Sequence, residues 1–266
     1  MARSILVVAF ALVCLALSTE NIDAQSQSAA VPAEWRTHAE KTDYRETPNY
    51  EETMAYARRL DAASPWVRLT EFGRSGEGRP LLLMVVSKGT QTPRDARAAG
   101  NPIVLIQACI HAGETDGKDA GLALIRDIAV TKQHAALLER ALVLFVPIYN
   151  VDGHERRSPY NRINQNGPAE MGWRGNASNL NLNRDYMKAD APETRAWLRL
   201  WNEWRPDLFI DCHVTDGADF QYNVTYQFEQ HVNVAPSIRS WSKEFFDGKV
   251  VPATEAAGNL LSPYMV

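Results

Sequence analysis

The stretch Cys109-Ile110-His111-Ala112-Gly113-Glu114-Thr115-Asp116-Gly117 constrains this chain more than any other. It follows an apolar run, Ile103-Val104-Leu105-Ile106, which reads as a buried strand. It precedes residues 118–130, where Leu122, Leu124, Ile125 and Ile128 recur at helical spacing. His111 and Glu114 therefore sit on a tight turn at the carboxyl end of a strand, which is where open α/β sheets form their sites. His-x-x-Glu on such a turn lets an imidazole nitrogen and a carboxylate oxygen converge on one cation. Zinc suits that mixed donor set, and a catalytic zinc takes three protein ligands and keeps one position for water.

A third ligand must come from elsewhere. Pro206-Asp207-Leu208-Phe209-Ile210-Asp211-Cys212-His213 is another short apolar strand that ends in a histidine and breaks into Thr215-Asp216-Gly217. It lies 99 residues beyond Glu114 (213 − 114), so the set is a close pair plus one distant member. His/Glu/His is an arrangement known for zinc that hydrolyses amides. The spacing alone leaves a second reading open. His111 and His213 are then ordinary strand-end histidines, and Glu114 is a carboxylate favoured by a helix N-terminus.

Further segments bear on that choice. Gly73-Arg74-Ser75-Gly76-Glu77-Gly78-Arg79-Pro80 is a glycine-rich turn between two strand-like runs. Pro147-Ile148-Tyr149-Asn150-Val151-Asp152-Gly153 ends the buried run that starts at Ala141. Asn181-Leu182-Asn183-Arg184-Asp185-Tyr186 follows, then Pro192-Glu193-Thr194 at a helix start, then Asp211-Cys212-His213. With His111-Ala112-Gly113-Glu114, and in this order, these motifs resemble the M14 zinc carboxypeptidase family (the funnelins) from about Tyr50 to His213. The resemblance implies an α/β fold with a mixed, mostly parallel central sheet and helices on both faces. It implies one Zn2+ per chain on His111, Glu114 and His213.

The same resemblance implies roles for other residues. Arg174, in Met171-Gly172-Trp173-Arg174, would polarise the scissile carbonyl and steady the oxyanion, with Arg162 the other arginine of that loop. Asn183 and Arg184 would hold a substrate carboxylate, the guanidinium gripping it at two points. Asn181 stands where family members often carry an aspartate that orients a zinc-bound imidazole. Gly113 replaces the arginine that many members carry between the first two ligands, which brings this chain nearer to branches acting on modified tails or unusual amides. The implied reaction is zinc-dependent hydrolysis of a C-terminal peptide bond, on a peptide or amide substrate with a free carboxylate. Two other readings stay open: a deacylase for N-acyl amino acids or other amides, and an inactive zinc- or carboxylate-binding module.

The last reading arises because the family's general-base glutamate lies on a late strand. Glu229, Glu244 and Glu255 follow His213, and none comes after an apolar strand of the right kind. Residues 47–266 are accordingly expected to be a C-terminally truncated zinc carboxypeptidase-like domain.

The remaining sequence sets bounds. Arg3 followed by the apolar run Ile5–Leu17 and by Ala24 reads as a cleaved secretory signal over residues 1–24, so the mature chain is expected to be secreted or periplasmic and free of the membrane. The run is about thirteen residues, short of the roughly twenty a bilayer span needs. Residues 25–46 read as a polar N-terminal arm. With a formal net charge of −4 there is no basic footprint for nucleic acid. Cys109 and Cys212 read as small buried hydrophobes, and a bond between them cannot be assigned from sequence. His154, beside Glu155 and two arginines, reads as a surface residue.

Overall fold

The computed structural model describes residues 31–89 and 91–264. The signal-like segment 1–24 lies outside the described residues. The chain divides into two compact units, one running to Gly217 and the other beginning at Ala218.

In the first unit the described part of the N-terminal arm, from residue 31 on, is docked on the body. Helix α1 (His38–Lys41) opens with a capping box made by Thr37 and Glu40, and α2 (Tyr50–Ala63) with one made by Asn49 and Glu52. The buried guanidinium of Arg126 reaches Glu40 at 2.5 Å and also pairs with Asp127. Tyr56 donates to the Trp35 carbonyl at 2.6 Å. The tie between Glu40 and Arg126 spans 86 residues, which is why a window of polar sequence without periodicity did not reveal it.

A hairpin follows, β1 (Val67–Arg74) and β2 (Pro80–Val86). Then come α3 (Pro93–Ala99), β3 (Ile103–Gln107), α4 (Asp116–Ala129), β4 (Leu142–Val146), α5 (Val151–Glu155), α6 (Pro192–Trp204) and β5 (Leu208–Asp211). The strands form one sheet in the order β1-β2-β4-β3-β5. β2 pairs antiparallel with both β1 and β4, and β3 pairs parallel with both β4 and β5. Four of the five strands thus run one way and β2 alone opposes them, so the sheet is mixed and mostly parallel, as the resemblance implied.

Successive strand residues point to opposite faces, and both faces are covered. On one, Leu142, Leu144 and Val146 pack with Leu83, Val85 and Leu105 and with Trp197, Leu200 and Trp204 of α6. On the other, Phe145 lies against α4 so closely that a Cβ on Gly121 would come within 2.3 Å of its ring. Strands buried on both faces read as continuous apolar runs rather than alternating ones, and β3 and β4 do so.

The expectation that His154 lies at the surface is overturned. It is fully buried on α5, with Nδ1 2.9 Å from Glu155 Oε1. Glu155 meets the ring inside the protein and also accepts from the Tyr50 amide at 2.8 Å, so the imidazole is buried with a carboxylate partner.

In the second unit, β6 (Val224–Tyr226) and β7 (Leu261–Pro263) pair parallel, and α7 (Pro236–Phe245) and α8 (Val251–Ala256) lie between them in sequence. Tyr226, Phe228 and Phe246 stack, with ring centroids 4.4 to 5.7 Å apart. Among the described residues no helix is long and apolar enough to cross a membrane.

The Gly121–Phe145 contact sets two effects against each other. Gly121→Ala gains about 1 kcal/mol of helix propensity, whereas overpacking a tight core costs about 1–3 kcal/mol. Phe145 is buried and has nowhere to retreat, so the variant is expected to unfold at lower urea concentration than the parent. A higher midpoint would show that the ring yields.

Candidate metal centre

Two turns carry the candidate ligands. After β3, Cys109 adopts φ 57°, a left-handed conformation that costs a non-glycine residue about 1–3 kcal/mol. The bend is held from outside: Tyr149 N–H donates to the Ala108 carbonyl and Asn150 N–H to the Cys109 carbonyl, both at 3.0 Å. The turn then closes with Glu114 N–H donating to the His111 carbonyl at 2.9 Å. The second turn follows β5. The β3–β5 pairing continues one step past the strand, through Cys212 N–H to the Gln107 carbonyl, and this brings His213 beside the first turn.

The three side chains meet there, with one donor atom from each within 4.8 Å of the others. His111 Nδ1 is 3.0 Å from Glu114 Oε1 and His213 Nδ1 is 2.9 Å from Glu114 Oε2. Both imidazoles therefore aim the same nitrogen at one carboxylate. His111 and Glu114 are buried and His213 is exposed, so the cluster is accessible from the His213 side. Two imidazoles and a carboxylate converging on one point fit Zn2+ in number and in kind.

The far nitrogen of His213, Nε2, is 3.0 Å from Asp211 Oδ2. A carboxylate there fixes the ring and raises its strength as a donor. Sequence reasoning missed Asp211, although strand alternation puts residues 211 and 213 on the same face. It looked instead to Asn181, whose amide oxygen accepts from the Asn183 N–H at 3.0 Å and is taken up in a local turn. His111 Nε2 is buried with no hydrogen-bond partner.

Burial alone would raise the Glu114 carboxyl, but its hydrogen bonds with His111 and His213 and the nearby Arg162 charge hold it down at about 2. Burial alone would lower His213, but Asp211 and Glu114 push it up to about 10. Both shifts reflect the pairing of the Glu114 and Asp211 carboxylates with the imidazoles between them. Burial pushes the Cys212 thiol up to about 12 and Cys109 further in the same direction, and both cysteines are free, so neither offers a thiolate.

Both candidate arginines reach the cluster. Arg174 Nη1 is 3.6 Å from Glu114 Oε1 and 3.6 Å from Asp216 Oδ1, with about a third of its side chain exposed. Arg162 is closer and buried, with Nη1 2.9 Å from Glu114 Oε1. The Arg174 loop is clamped from below. Asn150, fully buried, accepts from Gly153 N–H at 3.0 Å and donates to the Arg174 carbonyl at 3.1 Å. Trp173 N–H donates to the Gly153 carbonyl at 2.8 Å. A Cβ on Gly153 would come within 2.4 Å of the Gly175 carbonyl oxygen, so the two segments touch through backbone. The Asn-x-Asp-Gly motif thus has a physical function here. Asp152 completes it by accepting from Ser75, Arg79 and the Glu77 amide, which pins the β1–β2 turn. Asn183 and Arg184 lie on a short turn, where Arg184 is exposed and donates to the Asn183 carbonyl at 2.8 Å.

The sequence and the fold are matched elsewhere. The family profile described as zinc carboxypeptidase matches residues 53–245, most of the chain. The chain belongs to the M14 zinc carboxypeptidase family. Carboxypeptidase 2 of Trichophyton rubrum is 28% identical over 230 residues, covering 82% of this chain and 40% of that protein. Carboxypeptidase D of Mus musculus is 27% identical over 184 residues, covering 57% of this chain and 13% of that protein. The chain therefore spans well under half the length of these relatives. Among solved structures, carboxypeptidase A of Helicoverpa armigera matches with a TM-score of 0.51 at 22% identity, over 68% of this chain and 51% of that one. Bovine thrombin-activatable fibrinolysis inhibitor matches with a TM-score of 0.59 at 16% identity, over 83% and 77%. At such identities the structures establish the fold. M14 carboxypeptidases are zinc enzymes, in keeping with the His/Glu/His group.

Asn150→Ala leaves the Arg174 carbonyl and the Gly153 N–H without their partner in a buried place. It is expected to lower unfolding stability by about 1–3 kcal/mol, measured by urea denaturation. Stability equal to the parent would mean that the loop is held by other contacts.

Proposed function

We propose that this chain is the zinc-binding part of a metallocarboxypeptidase that removes a C-terminal residue from a peptide. The observation that carries the reading is the convergence of His111 Nδ1, His213 Nδ1 and the Glu114 carboxylate within 4.8 Å. His111, Glu114 and His213 would hold one Zn2+, which when bound polarises a carbonyl and makes water a stronger nucleophile. Glu114 supplies the negative charge, and Asp211 keeps the His213 ring turned toward the site. Arg174, partly exposed and held by its backbone, offsets negative charge that develops on the scissile carbonyl oxygen. Asn183 and Arg184 take the substrate's terminal carboxylate, and this contact restricts the reaction to chain ends. The leader-like residues 1–24 support export, to the periplasm or outside the cell.

The reading is tested in two steps. The full chain is expected to bind about one Zn2+ by equilibrium dialysis, and His213→Ala is expected to abolish stoichiometric binding. Stoichiometric zinc that survives this substitution would defeat the ligand assignment. Arg174→Gln is then expected to lower kcat about 10²–10³-fold on a C-terminal peptide series while zinc stays bound. Turnover of N-acyl amino acids in preference to peptides would favour the deacylase, and zinc binding without turnover of either would favour the binding module.

A further inference from the structure

Arg162 is not explained by the roles above. Its side chain is 8% exposed, and all its nitrogens are engaged. Nη1 pairs with Glu114 Oε1 at 2.9 Å, Nη2 donates to Asp216 Oδ1 at 3.2 Å, and Nε donates to Gln165 Oε1. Gln165 in turn donates to the Thr215 carbonyl, and Asn164 to the Asp216 carbonyl. Residues 162–165 therefore grip both ligand-bearing turns at once, Glu114 on the first and residues 215–216, just past His213, on the second. The stem of Arg162 crosses over Gly113, where an added Cβ would come within 2.9 Å of Arg162 Cδ and 2.7 Å of the Gly172 carbonyl oxygen. Glycine at 113 is what leaves room for it.

We infer that Arg162 is a positioning residue of the metal centre, a staple that fixes Glu114 relative to His213. The inference rests on the reading that these residues hold zinc. Two effects compete at this place. A guanidinium beside a ligand carboxylate repels an incoming cation. Against this, it holds two turns from distant parts of the chain in one frame, so less ordering remains to be done when the cation arrives. The Arg162 charge is already balanced by Glu114 and Asp216, which mutes the repulsion, and its planar fork is suited to spanning two carboxylates. Positioning therefore prevails. The arrangement also separates the two arginines. Arg162 satisfies Glu114 at ion-pair distance, and Arg174, at 3.6 Å from the same oxygen, stays available to substrate.

The test uses the full chain. Zinc affinity is read by competition with a chromophoric chelator, and the ligand field by the visible spectrum of the Co2+ form. Arg162→Gln is expected to weaken zinc by about tenfold or more and to alter the Co2+ bands, as loss of a group that orients a metal ligand does. Arg162→Lys, which keeps the charge but loses the fork, is expected to fall between it and the parent. Asp216→Asn changes a carboxylate whose side chain is 75% exposed and so leaves folding intact. It is expected to weaken zinc in the same direction by a smaller factor. The double variant is expected to lose less than the product of the two. Arg174→Gln is expected to leave zinc affinity within about twofold. Zinc bound equally well or more tightly by both Arg162→Gln and Asp216→Asn would overturn the staple. Failure of the ligand assignment itself would be distinct, appearing as zinc retained by His213→Ala.

Discussion

The structure depends on one buried carboxylate. Glu114 sits at the end of a turn with His111 on one oxygen, His213 on the other and Arg162 alongside. A buried charge without partners would cost several kcal/mol, so the chain must bring these groups together or leave the site unfolded. Two features of the first unit serve that convergence directly. The β3–β5 pairing sets the height of His213, and the left-handed Cys109 turns His111 out of the strand.

The strain at Cys109 is offset by its neighbours. The segment after β4 donates one backbone hydrogen bond to the Ala108 carbonyl and one to the Cys109 carbonyl, and the same segment supplies Asn150, which holds the Arg174 loop. One stretch of chain, residues 149–153, thus touches both the ligand turn and the arginine that faces it. Close backbone contacts make the linkage stiff. A Cβ on Gly172 would come within 2.7 Å of the Gly153 carbonyl oxygen and 3.0 Å of that of Ala112. Such contacts pass any displacement of one loop directly to the next.

Charge is arranged in layers around the cluster. Asp211 supports His213 from behind, and Arg162 and Asp216 tie the two turns together. Arg174 stands at the edge with no contact shorter than 3.6 Å among its ion pairs. Glu114 and Arg162 are buried, whereas Arg174 is about a third exposed, so the charges nearest the centre of the cluster are the ones most enclosed.

The sequence by itself determined the strand–turn–helix around His111, the β1–β2 hairpin, the start of α6 and the candidacy of the three converging side chains. Each of these is local, or rests on residue types whose chemistry admits few partners. The mixed, mostly parallel character of the sheet and the covering of both faces followed from the family resemblance, and the runs of apolar residues in β3 and β4 agreed with it, whereas the strand order came from the structure. The tertiary structure alone decided which groups support the site. Asp211 replaced Asn181 as the partner of an imidazole, Arg162 emerged as the bridge between turns, and His154 moved from the surface to the interior. The docking of the arm on Arg126 was likewise invisible in the sequence. These contacts join residues tens of positions apart, and periodicity and motif spacing carry no record of which distant side chain will fill the space beside a given one.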